Sequence, residues 1–204
     1  MNRQTKNLTL MAMFIAIEIL MCAVPFLGYI PIGPLRATLL HVPVIIAGIV
    51  LGRKQGAFVG AVFGITSIVM NTISPTVTSF AFSPLISGNL LSAVIALVPR
   101  ILIGFVAGVV YDLLRHKTDT LAMALGSFFG AMTNTILVLG GIYLFFGKPY
   151  AEALGKSASE LLPYFLGIIS TNSLLEAVVG VIIGTAVSKA LLRLNPRRES
   201  SYMH

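Results

Sequence analysis

The sequence predicts an all-α integral membrane protein with six transmembrane helices, both termini cytoplasmic, and long outward-facing lid loops. Three observations carry this reading. First, 56% of the 204 residues are hydrophobic and 10% are charged, against about 25% charged in a soluble domain. Mean hydropathy is +0.94. Second, the apolar residues gather into runs that approach the roughly 20 residues needed to cross a bilayer. Third, the basic residues fall unevenly between the runs. These figures exclude an ordinary soluble fold and a disordered chain. The net charge of +7 is better explained by topology than by nucleic-acid binding, because the apolar runs are too long for a nucleic-acid reader.

The first expected span is Leu8 to Phe26. Arg3 and Lys6 before it resemble the start of a signal peptide. No small-residue cleavage site follows, and Met21 before Cys22 does not fit a lipoprotein signature, so the span is read as retained. The second, Leu39 to Leu51, is short and is expected to begin inside Leu35–Thr38. The third is Gly56 to Met70. The fourth runs from near Pro99 to near Leu114, with an earlier start and a bend at Pro99 if the apolar stretch Leu85–Val98 joins it. The fifth is Leu121 to Phe146, and the sixth is Leu161 to Leu192 with a possible bend at Pro163. Six spans use almost the whole chain, so residues 1–204 are read as one transmembrane domain.

Placing the N-terminus inside puts Arg3, Lys6, Arg53, Lys54, Arg115, Lys117, Lys189, Arg193, Arg197 and Arg198 on the cytoplasmic side. Arg36, Arg100, Lys148 and Lys156 remain for the membrane and the other side, and this bias fixes the orientation. The inside loops are short. The outside connections, Gly28–Pro34, Asn71–Pro84 and Gly147–Glu160, are long and rich in Pro, Gly, Ser and Thr. Loops this apolar are expected to fold back as lids rather than extend into water. Plain extracellular turns are the alternative. No internal repeat is evident, which weighs against an inverted-repeat transporter.

Small residues recur one helical turn apart. Ala12 and Ala16 form a stripe on the first span, extended by Ala23. Gly56, Gly60 and Gly64, Gly104 and Gly108, Gly126 and Gly130, and Gly180 and Gly184 form similar faces. Such faces let helix backbones approach closely in lipid. Most are expected to serve packing within the bundle, and at least one to offer a docking face.

Polar side chains inside spans are costly and mark function. Arg100, beside the outer loops, suits a carboxylate held by two parallel hydrogen bonds. Asn134 offers both donor and acceptor for an amide or a hydroxyl. Thr76, Thr78, Ser79 and Asn89 are candidates for further polar contacts, and Phe80 and Phe82 for apolar walls. Together they suit a small anionic ligand in a mostly apolar pocket. Each has a plainer reading. Arg100 pairs with Glu176 or reaches headgroups, Asn134 bonds a neighbouring helix, and the phenylalanines anchor a loop. His41 reads as a satisfied interfacial histidine. Glu18, about 200° round the helix from the alanine stripe, is expected to face the bundle interior. Glu18 and Glu176 read as structural partners or as proton carriers. No HExxH, GxSxG, Walker A or His/Cys metal cluster is present. The chain is read as no enzyme, with no cofactor or metal of its own.

The span count, chain length, helix-one alanines and long outer loops together resemble the substrate-binding S component of an energy-coupling factor (ECF) vitamin transporter. The stretches Val98-Pro99-Arg100-Ile101-Leu102-Ile103-Gly104 and Gly130-Ala131-Met132-Thr133-Asn134-Thr135 are similar to the branch containing pantothenate and folate members. The segment Pro75–Pro84 looks most like the pantothenate members. The resemblance implies high-affinity vitamin binding near the outer surface of a bacterial plasma membrane. It implies docking through Ala12 and Ala16 on a transmembrane coupling subunit, and two cytoplasmic ATPase subunits that use the ATP. Substrate binding is then expected at Arg100, Asn134, Thr76, Phe80, Phe82 and Asn89. Other vitamins (folate, hydroxymethylpyrimidine or a queuosine precursor) remain open at this point, as do a small proton-coupled secondary transporter and a scaffold without ligand.

Overall fold

The computed structural model describes residues 3–24, 27–32 and 35–194. Its helices, in chain order, are α1 (Arg3–Ala23), α2 (Val42–Leu51), α3 (Arg53–Ile73), α4 (Pro84–Ser87), α5 (Leu91–Leu114), α6 (Asp119–Ala153), α7 (Ala158–Ile168) and α8 (Leu174–Leu194). A 3₁₀ turn, Ser79–Ala81, precedes α4, and a π-helical segment, Ile169–Ser173, joins α7 to α8. Five helical stretches are long and apolar enough to cross a membrane: Gln4–Ala23, Arg53–Ile73, Leu91–Leu114, Asp119–Ala153 and Ala158–Leu194.

The second expected span differs from the structure. Leu35–Thr38 is not the start of a helix but strand β2, paired antiparallel with β1 (Tyr29–Ile32), Tyr29 opposite Thr38 and Ile32 opposite Leu35. The helix that follows has ten residues, about 15 Å at 1.5 Å per residue, half of a roughly 30 Å hydrocarbon core. All ten are buried. Their sequence, Val-Pro-Val-Ile-Ile-Ala-Gly-Ile-Val-Leu, has no polar side chain, which suits a helix enclosed on every side. Pro43 sits in the first turn, where its missing N–H is not needed. α1, α3, α5, α6 and α8 all pack around α2.

α2 passes to α3 through Gly52 alone, at φ 117° and ψ 160°, a backbone state open to glycine and strained for other residues. The reversal lays Gly56 of α3 against Gly48 of α2 and against Gly104 of α5. The seam continues in both directions. A methyl group on Gly64 would stand 2.9 Å from the Ala96 carbonyl oxygen, and one on Gly108 would stand 2.7 Å from the Arg53 Cα. One on Gly60 would overlap the Arg100 carbonyl. On α6, Gly126 faces the Ala107 carbonyl, and on α8, Gly184 faces Ser127. The glycine faces are therefore used within the bundle. The alanine stripe is not: Phe14 and Glu18 of α1 are buried, while Ala12, Ala16 and Ala23 on the other side are exposed.

Two apolar cores result. The first is centred on α2 and includes Phe14, Ile45, Ile49, Val59, Phe63, Ile103, Met123 and Ala177. The second is built from Ala81, Ile95, Val138, Ile142, Phe146, Ala151, Leu161 and Phe165, with Phe80 and Phe82 packed against it. In the second core, the rings of Phe80 and Phe146 meet edge to face at 5.9 Å and those of Tyr150 and Phe165 at 5.8 Å.

Three further boundaries depart from the sequence reading. α5 begins at Leu91, which carries Arg100 more than two turns into the helix. Residues 147–153, expected as part of a loop, continue α6 beyond a single non-helical residue, Phe146. Pro149 is tolerated because it falls in the first turn after that break. In the last span the irregular segment is Ile169–Ser173 rather than Pro163.

Candidate functional site

A cavity of about 400 Å³ lies where the two cores approach each other. It sits at the end of the bundle opposite the basic connections at Gly52 and Arg115–Thr118, among the C-terminal turns of α1 and α3 and the N-terminal ends of α2, α5 and α8. Phe63, Ser67, Met70 and Asn71 line it from one face of α3, at the i, i+4, i+7, i+8 spacing of a single helical stripe. Leu40 and His41 enter from the start of α2, Cys22 from α1, Thr76 and Phe82 from the segment before α4, Arg100 from α5, Asn134 from α6 and Glu176 from α8.

Arg100 is 8% exposed. Its Nη1 donates to the Ile95 carbonyl at 2.9 Å. The guanidinium carbon lies 5.6 Å from the Phe63 ring centroid and 5.3 Å from that of Phe82. One ring belongs to the first core and the other packs on the second. Cation–π contacts of this kind contribute about 0.5–2 kcal/mol. Among the described residues its direct contacts are a carbonyl and two phenyl rings, and the buried Glu18 carboxylate acts on its charge through space.

The opposite wall is polar and differently charged. Glu176 Oε1 accepts a hydrogen bond from Asn172 Nδ2 at 3.0 Å. Asn172 belongs to the π segment, and π bulges often accompany functional sites. His41 is 4% exposed and its Nε2 has no hydrogen-bond partner; Asn134 Oδ1 is likewise buried and unpartnered. Gly180 leaves room for the imidazole, since a methyl there would stand 3.2 Å from His41 Nε2. α5 and α8 do not pack on each other, so Arg100 and Glu176 face the cavity from separate sides.

The segment over the cavity is cross-tied by hydroxyl groups. Ser79 Oγ donates to Asn71 Oδ1 at 2.8 Å and accepts the Thr76 N–H at 2.9 Å. Thr72 and Ser83 hydroxyls meet at 2.7 Å, and Ser92 Oγ donates to the Phe80 carbonyl at 2.7 Å.

The sequence-selected residues divide as follows. Arg100, Asn134, Thr76 and Phe82 line the cavity together. Phe80 does not. It points into the second core, against Phe146 and Tyr150. Asn89 does not either: it is exposed, and its Oδ1 accepts the Leu91 N–H at 3.0 Å, opening α5. Thr78 and Ser79 stabilise the segment from outside the cavity wall. Glu18 is fully buried, accepting a bond from Cys22 Sγ at 3.4 Å. His41 is no satisfied interfacial residue, and Asn71, read as the start of a loop, is in the last turn of α3.

Comparison with known proteins decides the family. Residues 6–188 match the family described as ECF transporter, substrate-specific component. The chain belongs to this family. It is 38% identical over 198 residues to the pantothenic acid transporter PanT of Lactococcus lactis subsp. cremoris, covering 93% of this chain and 95% of that protein. It is 30% identical over 205 residues to the pantothenate transporter PanT of Leuconostoc mesenteroides subsp. mesenteroides, covering 96% and 97% respectively. The chain is thus a multi-pass bacterial membrane protein and the substrate-specific component of an ECF transporter, rather than an enzyme. Family membership sets aside the self-sufficient secondary transporter and the ligand-free scaffold.

Proposed function

We propose that the chain captures pantothenate from outside the cell and delivers it to an ATP-driven coupling module. The observation that carries this is the Arg100 guanidinium in the cavity wall, held by a carbonyl and two aromatic faces rather than by a direct carboxylate contact. Pantothenate has one carboxylate, an amide and two hydroxyls. Arg100 takes the carboxylate. Asn134 and His41 take the amide and hydroxyls, which removes the cost of about 1–3 kcal/mol for each buried, unbonded polar atom. Glu176 accepts from a hydroxyl on the far wall. A cavity of about 400 Å³ is at the small end of the roughly 300–1,000 Å³ usual for ligand sites, which favours a compact acyclic vitamin over folate. The names of the two relatives support the same ligand.

The bias of Lys and Arg puts both termini and the Gly52 and Arg115–Thr118 turns in the cytoplasm and the cavity end outside. α2 and the β1–β2 hairpin then complete the sixth passage of the chain. The 74–90 segment and the hairpin serve as lids. The exposed Ala12 and Ala16 dock on the transmembrane coupling subunit, whose two ATPase partners use the ATP. This chain binds no cofactor.

Equilibrium binding of labelled pantothenate to the purified chain, with folate, thiamine and riboflavin as competitors, tests the ligand. Saturable binding displaced only by pantothenate is expected. Displacement by another vitamin overturns the ligand and keeps the family. Arg100→Ala is expected to weaken binding about 100-fold or more, the effect of losing two charge-assisted hydrogen bonds, while the protein still folds. Ala16→Trp is expected to abolish uptake in cells while leaving the dissociation constant unchanged. Normal uptake by that variant removes the docking assignment.

A further inference from the structure

In an α-helix the N–H of each residue donates to the carbonyl four positions back. Pro99 lies inside α5 and has no N–H. The oxygen it fails to serve is that of Ile95. Ile95 is 2% exposed, so its carbonyl needs a donor from the protein. The donor is the side chain of the very next residue after the proline: Arg100 Nη1 donates to the Ile95 oxygen at 2.9 Å. A regular turn would occupy that oxygen with the backbone N–H of residue 99 and close the turn around it. A proline at residue 99 cannot make that bond, and its ring crowds the carbonyl four residues back.

We infer that Pro99 is a positioning residue for anion binding, acting by leaving the Ile95 carbonyl free to anchor the Arg100 guanidinium. Anchoring by a neutral carbonyl has a specific consequence. A carboxylate in the same place would fix the side chain equally well but would neutralise it. Here the contact that holds the side chain adds no opposing charge of its own, and the buried Glu18 carboxylate acts on the guanidinium through space. Nη1 is committed to Ile95, and the guanidinium carbon lies over the rings of Phe63 and Phe82. Nε is buried without a hydrogen-bond partner, an unmet donor that a ligand carboxylate reaching the Nε–Nη2 edge would satisfy in a bidentate contact. The Pro-Arg dipeptide is a single device, and neither residue performs it alone.

This inference rests on the reading that Arg100 meets the carboxylate of pantothenate. The test uses the full chain in lipid nanodiscs and two probes: pantothenate, and its neutral analogue with a primary alcohol in place of the carboxylate. Dissociation constants are measured for the parent, Pro99→Ala, Arg100→Ala and the double variant. Pro99→Ala is expected to weaken pantothenate about tenfold, the effect of misplacing one charge-assisted contact. It is expected to leave the alcohol analogue within about twofold and to add nothing further in the Arg100→Ala background. Equal weakening of both probes, or additive losses in the double variant, shows that Pro99 only shapes the helix and overturns the inference. So does full affinity in Pro99→Ala when Arg100→Ala has lost it. Undiminished pantothenate binding by Arg100→Ala instead overturns the underlying reading, and the inference with it. Pro99→Gly also restores the N–H and repeats the measurement if the alanine variant does not fold.

Discussion

The two cores are built by opposite means. The first is closed by the absence of side chains: Gly48, Gly56 and Gly104 bring three backbones together, and Gly60 brings α3 onto the carbonyl of Arg100 itself. The second is closed by large rings, with Phe80, Phe146, Tyr150 and Phe165 in edge-to-face contact. It includes a 3₁₀ turn and a broken helix. Backbone-to-backbone packing leaves no rotamers to adjust, whereas rings on irregular segments can repack. The cavity takes one wall from each. The lesson is that the backbone of the charged anchor is fixed by the stiff side of the molecule, while its guanidinium is held between the two, by Phe63 of the first core and the Ile95 carbonyl of the second.

Substitutions that distinguish the two cores follow from this, from the largest effect to the smallest. Gly60→Val forces atoms into the Arg100 backbone and is expected to lower stability by about 1–3 kcal/mol or more, read as loss of monodisperse protein and a depressed melting temperature in detergent. Phe80→Ala empties part of the second core. Phe80 is only half buried, so about half of the 3–5 kcal/mol of a fully buried ring is expected, with little change in ligand affinity. Phe82→Ala, two residues on, should do the reverse. Loss of one cation–π face is expected to weaken binding about three- to tenfold with a smaller effect on melting. If Phe80→Ala and Phe82→Ala behave alike, the division between core and cavity wall fails. Ser157→Ala removes the N-cap hydroxyl of α7, part of a capping box in which Ser157 Oγ donates to Glu160 Oε2 at 2.6 Å. It is expected to cost about 1 kcal/mol or less and to leave binding untouched.

What was legible in the sequence follows from what is local. Glycines four apart read correctly as packing faces because close approach demands small residues at that spacing whatever the partner. Arg100 stood out because a charge inside an apolar run needs a reason, wherever the helix begins. Phe80 and Phe82 could not be separated, since which of two nearby rings turns inward depends on a 3₁₀ turn fixed by the distant residues Asn71 and Ser92. Asn89 was selected for its amide, yet the amide is used locally, to open α5. The hairpin was missed because Tyr29–Ile32 and Leu35–Thr38 are apolar enough to pass for span and loop; the Gly33-Pro34 pair between them was the available turn signal. His41 and Glu176 come from opposite ends of the chain, and only tertiary packing makes them neighbours of one cavity.

α1 has one further consequence. Cys22 lines the cavity and Glu18 is buried beside it, while Ala12 and Ala16 face outward from the same helix. In the proposed docking, the partner touches the far side of a rod whose near side meets the ligand. News of occupancy then has to travel only the width of one helix, about 10 Å. A small roll or tilt of α1 suffices to carry it, and no relay through the rest of the bundle is required.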